Sequence, residues 1–147
     1  MAGMSLVVKT ITRLVTTFIT LFGIYIVVYG HVTPGGGFAG GVILASGLIL
    51  VLLAFGGEET DRLLKPNSWI KWASGGALLF LAVALLGYLT GAFFMNFLHG
   101  AHPHHLTKAG TIPLLELAVA AMVAGGLFGV FRTLAVFRPA SREEDRP

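Results

Sequence analysis

The sequence predicts an all-α protein, an integral membrane bundle of four transmembrane helices with both termini in the cytoplasm. Three observations lead to this prediction: few charged residues, four long apolar stretches, and basic residues concentrated in alternate loops. Of the 147 residues, 55% are apolar and 12% are charged, whereas soluble domains carry about 25% charge. Such a chain cannot cover a water-soluble globule with polar groups, and its length allows one domain.

The spans follow from the length of about 20 apolar residues that a helix needs to cross a bilayer. The first span carries Lys9 and Arg13 in its opening turns, where long basic side chains can reach the membrane surface. The second and third contain no charged residue, and the fourth is interrupted only by Glu116. We expect spans at about 7–29, 35–57, 72–98 and 112–131 in a domain of residues 1–137, followed by a short cytoplasmic tail at 138–147.

The basic residues indicate the orientation of the chain. With four spans, the N-terminus, the second loop and the C-terminal tail share one side of the membrane, and nine of the ten lysines and arginines lie there. The opposite side has only Lys108. Because cytoplasmic loops are enriched in Lys and Arg, both termini are predicted to be cytoplasmic. The high isoelectric point therefore reflects topology, and we expect no nucleic-acid partner.

The most distinctive segment, His31–Gly41, lies between the first two spans, on the outer side by the charge count. Its candidate functional residues are His31, Pro34, Gly35, Gly36, Gly37, Phe38, Gly40 and Gly41. We expect Thr33 to cap the second helix and Pro34 to occupy its first position. The match of Gly35–Gly40 to G-x-G-x-x-G does not indicate dinucleotide binding, because no βαβ unit surrounds it.

Helix packing is the favoured role of these glycines, with an ion-binding or gating role as the alternative. Glycines four residues apart leave one helix face without side chains, so that another helix backbone can approach closely. Such pairs are Gly36 with Gly40, Gly37 with Gly41, Gly87 with Gly91 and Gly125 with Gly129. They predict extensive helix contacts, within the chain and with partner subunits.

Glu116 is the only acidic residue inside a span. A charge at the bilayer centre costs about 2.5–3.5 kcal/mol on insertion scales, but Glu116 lies near the outer end of its helix. One interpretation is a first-turn acid stabilised by the N-terminus of its own helix, behind Pro113. The other is a protonatable carboxylate on an ion path. The sequence favours neither.

Two further polar sets have structural explanations that compete with functional ones. An outer-loop cluster comprises His99, His102, His104 and His105. We interpret it as a polar interfacial loop and expect no metal site, because no carboxylate or thiol accompanies the imidazoles. Thr12, Thr16 and Thr20 share a face of the first helix. Their hydroxyls are expected to bond back to their own helix carbonyls.

The segment His31–Gly41, with its Pro-Gly-Gly-Gly-Phe core, resembles the signature of the MrpB/MnhB family, which are subunits of multisubunit Mrp-type (Mnh) sodium/proton antiporters. The chain size, the four spans and the stretch Gly110–Glu116 are similar to that family as well, so the resemblance covers Leu6 to Phe137. It implies functional importance for Pro34 and Phe38, which match the motif. The histidine-rich loop departs from the family pattern.

The resemblance implies an accessory or structural subunit of a multisubunit sodium/proton antiporter in the cell membrane of a bacterium or archaeon. The expected partners are the other subunits and membrane lipid, and the complex as a whole would transport Na⁺ and H⁺. The chain would not be an enzyme and would hold no cofactor. Without cysteine it has no thiol chemistry and no ligands for an iron–sulfur cluster.

Three alternatives remain at this point. The chain could belong to an Mrp-like antiporter module of a membrane-bound hydrogenase or sulfur-reductase complex. It could also be a stand-alone four-helix transporter that uses Glu116 as its coupling site. The third alternative is a membrane enzyme that uses the histidine cluster.

Overall fold

The computed structural model describes residues 4–32, 34–65, 67–96 and 110–136, without the side chains of Glu58, Leu63 and Val136. The elements are α1 (Leu6–Val28), α2 (Gly36–Phe55), α3 (Gly57–Leu63), α4 (Ser68–Leu86), a 3₁₀ turn (Gly87–Thr90) and α5 (Ile112–Val136). All the regular elements in the described ranges are helical. Four stretches are long and apolar enough to cross a membrane: Leu6–Val28, Gly36–Phe55, Ser68–Thr90 and Ile112–Ala135. The predicted all-α class with four spans is confirmed, and the orientation of the termini remains a prediction.

The main helix contacts do not follow the order of the helices along the chain. The helix α1 packs on α2, α2 packs on α5, and α5 packs on α4, with a minor contact between α1 and α5. The last helix therefore returns between α2 and α4. Because α1 and α4 each have one main neighbour, most of their large apolar side chains remain exposed, as a surface facing lipid or other subunits requires.

The helices approach closely because the buried positions between them are small. The fully buried apolar residues are mostly alanine, and Phe128 is the largest of them. A Cβ atom added at Gly41 would lie 2.8 Å from the carbonyl oxygen of Ala120 on α5, and one at Gly125 would lie 2.6 Å from that of Trp69 on α4. In a membrane such backbone contacts hold helices together by dispersion and weak polar interactions.

One predicted glycine pair does not form a helix contact. Gly87 lies in the 3₁₀ turn, and Gly91 has a φ of +120° with open space where a Cβ would be. On α4 the close approach occurs instead at Gly76, where an added Cβ would lie 2.6 Å from the carbonyl oxygen of Ala118. The sequence reasoning missed Gly76 because no other glycine stands four residues from it.

The third span differs from its expected range of 72–98. The helix α4 starts at Ser68, after Asn67 in a left-handed conformation, and ends at Leu86. The chain then turns back, since the Phe94 N–H donates to the carbonyl oxygen of Ala84 at 3.3 Å. The residues of this turn are apolar and aromatic, so the composition alone does not reveal the end of the helix.

The end of the bundle that carries the basic residues is tied together by polar contacts. The short helix α3, which the sequence did not predict, brings Asp61 to within 2.6 Å of Arg132 near the end of α5. The Met4 N–H donates to the carbonyl oxygen of Ala54 at 2.9 Å, so the start of α1 lies beside the end of α2. The predicted tail at 138–147 lies outside the described residues.

Candidate functional site

At the other end of the bundle, the end of α1 meets the starts of α2 and α5. The chain leaves α1 and enters α2 through two glycines with positive φ, Gly35 at +115° and Gly36 at +51°. Glycine adopts these angles without steric cost. The predicted first helical position, Pro34, is wrong, because these two residues complete the turn and α2 starts at Gly36. The expected cap Thr33 lies outside the described residues.

Glu116 binds the start of α2. The Gly37 N–H donates a hydrogen bond to Glu116 Oε2, across 79 residues of sequence. The first turn of α2 contains no acidic residue, and its N-cap makes no side-chain hydrogen bond. The N-terminal N–H groups of a helix lack intrahelical partners and carry partial positive charge, which favours a carboxylate. Glu116 on α5 thus supplies to α2 the anionic cap that α2 does not carry itself.

Three glycines make room for this carboxylate, and we call Gly30, Gly36 and Gly37 the glycine cradle. A Cβ added at Gly36 would lie 2.6 Å from Glu116 Oε1, and one at Gly30 would lie 3.0 Å from Oε2. A Cβ at Gly37 would lie 2.8 Å from the backbone carbonyl carbon of Glu116. Any larger residue in the cradle would displace the carboxylate or the backbone of α5.

The sequence interpretation of Glu116 was therefore incomplete. The residue does lie in the opening turns of α5, where the Leu115 N–H donates to the carbonyl oxygen of Thr111 at 3.1 Å. Its carboxylate, however, faces α2 as well as its own helix. Gly30 was missed, and its only signal was its place directly before the distinctive segment.

The remaining residues of that segment separate into inward-facing and outward-facing groups. Gly40 packs against α1, where an added Cβ would lie 3.1 Å from the Val27 backbone nitrogen, and Gly41 packs against α5. Pro34 is exposed, and the ring of Phe38 is 64% exposed. His31 is half-buried, and its Nδ1 atom is buried without a hydrogen-bond partner in the described structure. The segment thus combines a packing surface with an exposed aromatic side chain.

The structure places the two other polar sets away from this site. His99, His102, His104 and His105 lie outside the described residues. On α1 the back-bonding expected of Thr16 is wrong, because Thr16 Oγ1 is buried without a partner in the described part of the chain. Its methyl group faces Gly47, at 3.7 Å from the position of an added Cβ. Thr17 makes such a bond instead, to the carbonyl oxygen of Arg13 at 2.8 Å.

Comparison with known families places the whole site inside one family domain. The sequence model described as "Domain related to MnhB subunit of Na+/H+ antiporter" matches residues 7–129. The chain belongs to the MnhB family. It is 33% identical over 132 residues to the MnhB-type Na⁺/H⁺ antiporter protein of Bacillus subtilis, covering 88% of this chain and 92% of that protein. With four membrane helices, this member of the family is a multi-pass membrane protein.

Two solved structures share the MnhB fold. One is a chain of the membrane-bound sulfane sulfur reductase, an archaeal respiratory complex, with a TM-score of 0.71 and 29% identity over 86% of this chain. The other is a chain of the Mrp complex from a Dietzia species, with a TM-score of 0.73 and 23% identity over 95% of this chain. This chain spans 56% of the first structure's chain and 14% of the second's. The same four-helix unit therefore occurs within longer chains.

Proposed function

We propose that this chain is an accessory membrane subunit of a multisubunit Na⁺/H⁺ antiporter, required for assembly and for ion exchange. The observation that carries the proposal is the match of the MnhB family model to residues 7–129, which include the glycine cradle and Glu116. The large exposed apolar surface of the outer helices supports a position among other membrane subunits. The chain itself catalyses no chemical step.

We further propose that both termini face the cytoplasm. The supporting observation is the distribution of charge, since nine of the ten basic residues fall on the side that holds the termini and the second loop. The glycine cradle and Glu116 then lie at the outer end of the membrane domain.

At this outer end we propose two contributions of Glu116. Its hydrogen bond to the Gly37 N–H fastens α5 to α2 and fixes the relative position of the helix ends. Its negative charge lies within a membrane span, where ionisable groups serve ion and proton pathways, and we assign it to the ion path of the complex. His31, Pro34, Phe38 and the glycines of the segment support this arrangement and its contacts with neighbouring subunits.

Native electrophoresis of the full chain tests the subunit assignment. The affinity-tagged chain, purified in mild detergent, should migrate in a large complex that contains antiporter-type subunits. A species that contains only copies of this chain would contradict the assignment and would support the stand-alone transporter instead.

Two substitutions separate the contributions of Glu116. Glu116→Gln keeps an oxygen acceptor for the Gly37 N–H but removes the charge, so exchange should fall while assembly remains intact. Glu116→Ala removes the acceptor as well, so the complex should also become less stable. If Glu116→Gln leaves Na⁺/H⁺ exchange unchanged, the ion-path assignment is wrong.

A second candidate is an antiporter-module subunit of a respiratory complex. The similarity to a chain of the membrane-bound sulfane sulfur reductase, at 29% identity, favours it specifically. The proteins that co-purify with the chain distinguish the two candidates. Redox subunits among them would indicate the respiratory complex, and their absence beside antiporter-type subunits would indicate an Mrp-type antiporter.

A further inference from the structure

We propose that Lys9, Arg13 and the start of α1 bind the phosphate group of an anionic phospholipid at the basic side of the membrane. This lipid site lies at the opposite end of the bundle from Glu116. Its argument does not depend on the proposed function, because it rests on the local geometry and charge of α1 and α2.

Two cations converge on one aromatic ring at this place. Lys9 Nζ lies 5.9 Å from the centroid of the Phe55 ring, and Arg13 Cζ lies 5.2 Å from it. Both distances fall within the range of a cation–π attraction. Lys9 and Arg13 stand four residues apart on the same helix face, so their charges repel each other. A bound anion would relieve this repulsion.

The described structure provides no counter-charge for this pair. On the same side, Glu59 contacts Arg62 at 3.4 Å and Asp61 contacts Arg132 at 2.6 Å. Among the described side chains, which do not include that of Glu58, Lys9 and Arg13 make no ion pair. Both nearby described carboxylates thus have other partners.

The start of α1 adds to the positive potential. Its first turn contains no acidic residue, and Ser5 at the N-cap makes no side-chain hydrogen bond. The N–H groups at this helix end favour an anion. The hydrogen bond from the Met4 N–H to Ala54 keeps this end beside Phe55 at the end of α2. Two side-chain charges and a helix N-terminus therefore lie at one place.

The surroundings favour a phospholipid as the source of the phosphate. Exposed apolar side chains flank the cations, with Leu6 82%, Ile11 57% and Leu14 62% exposed on α1. These surfaces suit acyl chains below a phosphate that sits at the membrane interface. Basic groups between membrane helices at the cytoplasmic side are typical binding places for anionic headgroups. Free phosphate would gain nothing from the apolar flanks.

The test compares lipid retention by the full chain, purified with its accompanying subunits and mixed with phosphatidylglycerol or phosphatidylcholine. Native mass spectrometry should show preferential retention of phosphatidylglycerol. Lys9→Gln with Arg13→Gln should lower that retention about tenfold or more, because each basic group near the surface strengthens anionic-lipid binding severalfold. The matched control, Lys65→Gln with Lys71→Gln, removes the same charge from exposed positions on the same side and should leave retention unchanged.

Phe55→Leu provides a variant that keeps both charges and the apolar bulk. It should lower retention by a smaller factor, because the cations lose the ring that positions them. Unchanged retention in the Lys9 and Arg13 double variant, or equal loss in the control, would overturn the proposal. Displacement of the lipid by inorganic phosphate at millimolar concentration would show a free-phosphate site instead. Loss of a subunit with lipid retained would show that an acidic protein segment occupies the place.

Discussion

Replacement of Gly37 by alanine tests the contact between α2 and α5 most sharply. The added Cβ would lie 2.8 Å from the backbone carbonyl carbon of Glu116, where ordinary contacts begin at 3.4 Å. The two helix ends must therefore separate by at least about 0.6 Å at this point. That separation acts directly on the hydrogen bond from the Gly37 N–H to Glu116 Oε2.

The expected loss of stability can be built from three terms. Overpacking of a tight contact costs about 1–3 kcal/mol, and loss of a hydrogen bond to a charged group costs about 1.5–3 kcal/mol. Alanine returns about 0.5–1 kcal/mol, because glycine is a poorer helix former. Gly37→Ala should therefore lower the free energy of unfolding by about 2–5 kcal/mol, taking these magnitudes together.

Unfolding in mixed micelles, with a denaturing detergent as the variable, measures this difference. Gly75→Ala on α4 and Gly126→Ala on α5 are matched controls, because a Cβ at either position meets no atom within 4 Å. Both controls should be as stable as the parent or slightly more stable. The reasoning is refuted if Gly37→Ala unfolds like the parent, or if the controls lose as much stability as it does.

Three further predictions concern other parts of the molecule. Asp61→Asn should cost about 0.5–1 kcal/mol in the same unfolding assay, because Asp61 and Arg132 are 37% and 18% exposed and Asp61 Oδ1 has no hydrogen bond; an exchange of the two residues should restore part of the loss, and no effect of Asp61→Asn would contradict the pairing. Phe38→Ala should leave the isolated chain as stable as the parent, because the ring is 64% exposed, yet weaken subunit association measured by co-purification; intact association would show that the ring faces lipid only. Since the chain has no cysteine, Val32→Cys and Lys65→Cys give unique thiols for an impermeant reagent on intact cells: position 32 should react and position 65 should not, and the reverse pattern would invert the proposed topology.

The fold class follows from the sequence because composition and charge placement act over whole spans. Runs of apolar residues mark α1, α2 and α5 to within a few residues, apart from the longer end of α5. The end of the third span could not be predicted in this way. It depends on the backbone angles of Gly91 and Phe94, and the residues that form the turn are as apolar as the helix before them.

The candidate site was predictable in its parts but not in its assembly. Glu116 and the glycine-rich segment are conspicuous in the sequence as the single acid in a span and as a dense run of glycines. Their contact joins Gly37 to a residue 79 positions away, and it depends on α5 packing beside α2. The periodicity of a helix shows which residues share a face, but it does not show which helix that face meets. Gly30 and Gly76 were missed for the same reason.

Sodium/proton exchange in everted membrane vesicles tests the central claim most directly. The measurement is the Na⁺-induced collapse of a preformed pH gradient, in vesicles from cells with and without a functional copy of this chain. The account predicts that the Na⁺-dependent signal disappears without the chain and returns with the parent sequence, while a proton ionophore still collapses the gradient. Equal Na⁺-dependent exchange in both vesicle preparations would contradict the account.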